Sequence, residues 1–342
     1  MKKLESMKKK LVAALSVCVM SLGLVACGGK ENKSETEATT VAVTEATTEA
    51  ATETEATPAA TEAVTETENI EVTYPVTIID SNGTEITFEE EPEKVVSVAP
   101  NLTEIIYGLG AEDKLVGRSD YCDYPAEVAE VSSVGSIMEP DVEAIISMEP
   151  DVVVVSTHFS EENSKKLEEL NIKVVTLYDA SDLDGVYDMI DTMGTVLNRK
   201  AEATDCIDNM KKTIAEVSDK VAGLEKPTVY YVVGYGEYGD FTATGDTFVA
   251  GMLEAAGGDN IAKDATNWSI TLEEIVEADP SIIIISEFMK DDFMSQPTYC
   301  DLTAVKEGHV YTLDTNMLDR QGLRNADGIM ALAKIFHPEA FE

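Results

Sequence analysis

The order of apolar and polar positions over residues 142–156 returns over residues 272–286. Each copy reads as a short amphipathic helix with a glutamate near its start, a proline breaker (Pro150 and Pro280) and a run of β-branched residues ending in serine. A strand apolar at every position is buried on both faces, which calls for a parallel sheet covered by helices. Two such units imply two similar lobes, and facing sheets leave a cleft in which a ligand is expected. The expected fold class is α/β, with two doubly wound lobes.

Around these units the periodicity predicts further elements. Residues 76–88 alternate about Asn82 and Gly83, a dipeptide suited to a type I′ hairpin turn. A buried strand is expected over 94–98, then a helix over 101–109 opened by a capping box of Asn101 and Glu104 and stopped by Gly110. A strand from 115, a helix over 142–148, a strand over 152–156, a helix over 161–170 and a strand over 173–177 make a parallel series. The helix over 182–197 ends at Asn198, a residue suited to a left-handed cap. The next helix, 200–222, would span about 33 Å, enough to bridge two lobes rigidly. After Pro227 the pattern restarts with a strand over 228–233, a helix over 247–256, the second repeated unit and a last helix over 329–336. The expected division is 71–181 for the first lobe, 182–226 for the connecting helices and 227–342 for the second lobe.

The N-terminal end adds an address. Five lysines and one glutamate in the first ten residues precede an apolar run that closes on Leu24-Val25-Ala26-Cys27-Gly28, which reads as an export signal over 1–26. The small residue before Cys27 resembles the lipobox of bacterial lipoproteins, which implies diacylation of Cys27 and an extracytoplasmic, membrane-anchored protein. An uncleaved anchor helix is the alternative, although the run is short for a bilayer span. Residues 27–70 hold so much Thr, Glu and Ala and so few apolar side chains that a disordered tether is expected. Loss of the signal takes the formal charge from −40 to −44, so nucleic acid is excluded as a partner. Cys122, Cys206 and Cys300 remain in the folded part; three cannot all pair, and free thiols are expected, with a Cys122–Cys300 bridge as the alternative.

Taken in order, the segment 95–110 with Ala99-Pro100-Asn101, the Tyr121-Cys122-Asp123-Tyr124-Pro125 segment, the two repeated units, Gly257-Gly258-Asp259-Asn260-Ile261 and Arg320-Gln321-Gly322-Leu323-Arg324 resemble the helical-backbone family of ABC-importer solute-binding proteins. That family captures ferric siderophores, haem or cobalamin and delivers them to a permease and its ATPase. The resemblance implies type III periplasmic-binding-protein architecture with a single long helix joining the lobes. It also implies a monomer that binds a metal chelate or corrinoid, with no cofactor or metal ion of its own and no catalysis. In that family one glutamate per lobe meets arginines of the permease, and the matching positions are Glu143 and Glu273. Two carboxylates held on separate lobes and met by guanidinium forks would sense lobe spacing as well as charge. The competing reading is helix chemistry, since acids favour a first turn and Thr271 with Glu274 spells a capping box.

The ligand is expected against the loops that follow the strands. Those loops offer Pro100, Asn101, Arg118, Tyr121, Tyr124, Tyr235, Tyr238 and Trp268, with Arg320 and Arg324 before the last helix. The resemblance gives Tyr121 and Trp268 to a corrinoid face; by their place near loops and helix starts, Arg118, Arg320 and Arg324 are candidates to clamp acidic groups of the ligand, with a plain surface pair before the last helix as the alternative for Arg320 and Arg324. Cobalamin-binding members often carry a further Trp before the first repeated helix; residues 134–138 have none, which counts against cobalamin. His158 or Tyr235 is the candidate for a haem axial ligand. Two rivals stand beside this reading. Gly234-Tyr235-Gly236-Glu237-Tyr238-Gly239 spells a dinucleotide fingerprint, but that chemistry needs a helix to begin at the turn, and residues 240–245 do not start one. An extracytoplasmic two-lobed hydrolase is the other, with no Gly-x-Ser-x-Gly and no paired-His motif to support it.

Overall fold

The computed structural model describes residues 71–178 and 181–342. The export signal, Cys27 and the Thr/Glu/Ala tether lie outside these residues. The strands are β1 Val76–Ile79, β2 Glu85–Phe88, β3 Val95–Ser97, β4 Leu115–Arg118, β5 Val152–Val155, β6 Lys173–Thr176, β7 Thr228–Gly234, β8 Asp240–Thr242, β9 Asp259–Asn260, β10 Ser269–Ile270, β11 Ile282–Ile285 and β12 Val310–Thr312. The α-helices are α1 Pro100–Gly108, α2 Val142–Ser147, α3 Glu161–Glu168, α4 Leu183–Val196, α5 Lys200–Val221, α6 Phe248–Ala255, α7 Leu272–Ala278, α8 Glu287–Ser295, α9 Thr303–Glu307, α10 Asn316–Asp319 and α11 Asn325–Phe336.

The first lobe is built on a fully parallel sheet of order β4-β3-β5-β6. Its centre is β5, four valines buried on both faces because helices cover each side. The second lobe has the order β10-β8-β7-β11-β12, with β9 also on β7. The repeated strand β11, four buried isoleucines, again lies between parallel neighbours. The mirror is incomplete, however: β8 runs antiparallel to both β7 and β10, so this sheet is mixed where a parallel one was expected. The cause is the glycine-rich turn after β7, which sends the chain straight back as a hairpin instead of into a helix.

Helix α4 starts at Asp182, whose carboxylate accepts the Gly185 amide, and the chain turns at Asn198, where φ is 54°. Helix α5 then runs 22 residues, about 33 Å. One continuous apolar core passes from Val95, Leu102 and Ile105 of the first lobe through Val186, Met193, Ala203 and Val217 of α4 and α5 to Val229, Tyr231 and Ile329 of the second. Separate clusters fill the outer side of each sheet. A connector sunk in a shared core has little freedom to hinge. No helix among the described residues is long and apolar enough to cross a membrane.

Three local expectations are corrected. The β1–β2 hairpin forms, but its turn is not type I′: only Gly83 has positive φ, and Asp80 organises the loop by accepting the Asn82 and Thr84 amides at 3.0 and 2.8 Å. The capping box of Asn101 and Glu104 is absent, since α1 begins one residue earlier with Pro100 at its first turn and no side-chain cap. Helix α11 starts at Asn325, four residues before the expected start, because Asn325 is buried and bonds the Met317 and Arg320 carbonyls.

Candidate functional site

Helices between parallel strands run back along the sheet, so the start of each repeated helix lies at the strands' carboxyl edge. In the first lobe Val134 bonds the Arg118 carbonyl at the end of β4, and Asp141, the cap of α2, bonds Val134. At its far end α2 reaches Lys94, whose Nζ donates to the Met148 carbonyl at 3.4 Å. In the second lobe α7 follows β10, whose Ile270 pairs with Asp240, and its end leads to Ser281 beside Thr228 at the foot of β7. Glu143 and Glu273, each second in its helix, therefore stand exposed on the same edge as the loops after β3, β4, β7 and β11. The capping of α7 falls to Glu274, which accepts the Thr271 amide at 2.9 Å while Thr271 Oγ1 accepts the Glu274 amide at 3.2 Å. Glu273 is left out of that box.

An ion cluster joins the two lobes. Glu104, on α1 of the first lobe, has a side chain only 5% exposed. Arg324 of the second lobe donates Nη2 to its Oε1 at 2.7 Å and Nε to its Oε2 at 2.8 Å, while Arg320 Nη1 donates to Oε1 at 2.8 Å. Arg320 also reaches Asp123 at 2.6 Å, and Arg324 reaches Asp314 at 2.8 Å. The Arg324 guanidinium lies 4.2 Å over the Tyr124 ring, and Asn101 Nδ2 donates across the lobes to the Gln321 carbonyl at 3.2 Å. The hydrogen bond from Arg320 holds the Asp123 carboxyl below the usual range despite partial burial. Two of the three arginines expected to clamp a ligand, Arg320 and Arg324, are thus engaged by acids of their own chain. Arg118 differs: its Nη1 donates to the Ser119 carbonyl at 2.9 Å, and it forms no ion pair among the described residues.

The aromatic candidates separate into two groups. Tyr121, Tyr124 and Trp268 are 58%, 47% and 41% exposed, and Tyr238 is 89% exposed on the β7–β8 turn. Trp268 sits at φ 59° after Asn267 at φ 62°, a left-handed pair pinned by the bond from the Trp268 amide to Thr244 Oγ1 at 3.0 Å. Large side chains avoid that region, so neighbouring structure holds the indole in place at a cost. Tyr235 belongs elsewhere: its ring packs edge-on to Phe293 and Tyr299, and its hydroxyl donates to Asp292 at 2.7 Å. Burial and the Asp292 carboxylate push its pKa up to about 12. His158 Nδ1 lies 3.1 Å from Thr157 Oγ1 on the surface. Pro100 is the first residue of α1 and is half-buried.

The fingerprint Gly234 to Gly239 is a hairpin turn, with Gly236 and Gly239 at φ 98° and 111° and Thr242 paired with Val232. With no helix starting there, the dinucleotide reading falls. Cys122, Cys206 and Cys300 are all free thiols, so the Cys122–Cys300 bridge is not formed. Sequence reasoning missed Glu104 as a site residue. Its signal was present: a carboxylate among Leu102, Thr103, Ile105 and Ile106 on a buried face demands a cationic partner.

A family profile described as periplasmic binding protein matches residues 95–317. A Bacillus subtilis (strain 168) protein described as an uncharacterized ABC transporter substrate-binding lipoprotein, YvrC, is 33% identical over 79% of this chain and 88% of its own length. A cobalamin-binding protein of Halobacterium salinarum (strain ATCC 29341 / DSM 671 / R1) is 30% identical over 78% of this chain and 75% of its own. The crystal structure of a possible iron-binding periplasmic solute-binding protein from Staphylococcus epidermidis ATCC 12228 superposes with a TM-score of 0.63 at 27% identity, covering 72% of this chain and all of that one.

Proposed function

The chain belongs to the periplasmic binding protein family, and on that premise we propose that it is the membrane-anchored solute-binding component of an ABC importer that carries a corrinoid to its permease. Cys27 would supply the anchor, and Glu143 and Glu273 would meet the permease, one from each lobe. The observation that carries the ligand class is the partial exposure of Tyr121 and Tyr124 on one lobe and Trp268 on the other, aromatic side chains suited to packing on a broad flat ring system.

Two further points favour a corrinoid over haem. A corrinoid brings its own axial ligands, and Tyr235, one of two side chains that would ligate a haem iron, spends its hydroxyl on Asp292. Arg118, which forms no ion pair among the described residues, suits a single phosphodiester better than a pair of propionates. The cobalamin-binding relative supports the same choice.

The test is quenching of Trp268, the single tryptophan, in a soluble form beginning near Glu71, against cyanocobalamin, haem and a panel of ferric siderophores. Saturable sub-micromolar quenching by cyanocobalamin, after correction for ligand absorbance, is expected. Tighter binding of haem or a siderophore would move the assignment to that class. Binding of none would return the hydrolase reading, to be tried with ester and phosphate substrates.

A further inference from the structure

The Glu104 cluster has an electrostatic consequence for the cleft. Its two guanidiniums are matched by three carboxylates, those of Glu104, Asp123 and Asp314. Glu104 lies beneath, 5% exposed, and the arginines are 15% and 13% exposed, while Asp123 and Asp314 face solvent at 63% and 50%. The acids thus sandwich the bases, and the cluster turns carboxylate oxygens outward where the sequence alone left a cationic clamp open. We propose that Glu104 is a selectivity-determining, positioning residue: by consuming Arg320 and Arg324 it sets the cleft against ligands with several negative charges, and through Arg324 it holds Tyr124 in place. This rests on the reading of the cleft as a ligand site.

The physical basis is competition for one set of donors. Arg324 gives both its fork bonds to Glu104, and Arg320 divides one nitrogen between Glu104 and Asp123. An incoming propionate or catecholate must displace a buried, preorganised carboxylate, and also approach Asp123 and Asp314. A ligand without such groups meets no comparable barrier. Glu104→Gln keeps the shape but puts an amide NH2 toward one guanidinium, which turns that arginine loose.

Affinities of cyanocobalamin, which carries no net charge, and of haem, with its propionates, are to be measured for the native protein and Glu104→Gln. The expected result is a shift of the haem-to-cyanocobalamin affinity ratio by about tenfold toward haem, since general loosening lowers both affinities and leaves their ratio fixed. A fixed ratio would overturn the proposal. Asp314→Asn removes a charge from the exposed side of the cluster without disturbing the core and should move the ratio in the same direction. It serves if Glu104→Gln fails to fold, and a fixed ratio there is equally fatal. If the native protein binds neither compound, the corrinoid reading fails by itself. Thermal melting with millimolar citrate then decides this proposal: stabilisation of either variant beyond the native protein supports it, and equal responses sink it.

Discussion

Glu143 and Glu273 occupy equivalent places in the two lobes, each second in the helix that leads through a proline to a four-residue buried strand, and each exposed at the carboxyl edge of its sheet. Their caps differ, Asp141 on one helix and the Thr271–Glu274 box on the other, yet neither cap uses the glutamate itself. On the docking role proposed for them, Glu143→Arg combined with Glu273→Arg should leave folding and cyanocobalamin affinity within about twofold and abolish cellular uptake, because breaking a desolvated guanidinium–carboxylate contact costs roughly 2–5 kcal/mol. Uptake of labelled cyanocobalamin, set beside equilibrium binding, checks this. A parallel fall in affinity would move both residues into the ligand site.

Trp268 offers a separation of stability from binding. Its left-handed backbone costs roughly 1–2 kcal/mol for any residue with a Cβ, and its indole is only partly packed. Trp268→Gly should melt within a few degrees of the native protein, with relief of strain offsetting lost contacts, while ligand affinity drops about tenfold or more. Because this variant lacks the fluorophore, ligand absorbance after equilibrium dialysis is the measurement.

Asp240 makes stability depend on pH. It is buried at the start of β8, burial raises its pKa, and the hydrogen bond from the Tyr299 hydroxyl only partly opposes that rise. A folded-state pKa above the unfolded one means that the native state holds this proton more firmly. The charge costs stability at neutral pH, and the cost is relieved as pH falls through the raised pKa. Asp240→Asn should thus gain most over the native protein near pH 7 and lose that advantage on approach to about pH 4. Thermal melts across this range test it, and an advantage independent of pH would rule it out.

The seam between α4 and α5 is intolerant of volume. A Cβ on Gly194 would lie 2.5 Å from Ala203 Cβ and 3.0 Å from the Arg199 carbonyl oxygen. Gly194→Ala should cost about 1–3 kcal/mol by overpacking, despite the better helix propensity of alanine. Denaturant unfolding would measure the loss.

The same seam predicts limited closure. With α5 sunk in the core shared by both lobes, small-angle scattering of the native protein should change little when cyanocobalamin is added. A marked fall in radius of gyration would show a hinge that this packing does not provide.

Much of the fold was legible because it rests on local rules. The runs 152–155 and 282–285 are apolar at every position, so they had to be buried strands, and the periodicity of 200–221 could only be a long helix with one covered face. Asn198 announced a helix end by its tolerance of left-handed backbone. The repeat itself placed Glu143 and Glu273 in matching frames. What the sequence could not decide was partnership at a distance. Glu104 and Arg324 are separated by 220 positions, and nothing local distinguishes an arginine free to clamp a ligand from one neutralised across the lobes. Local pattern likewise marked Tyr235 and Tyr238 alike as loop aromatics, and only packing turned one into the Phe293 cluster and left the other in solvent. Periodicity is written in neighbouring residues, whereas the charge of a cleft is a sum over side chains that only the folded chain brings within hydrogen-bonding distance.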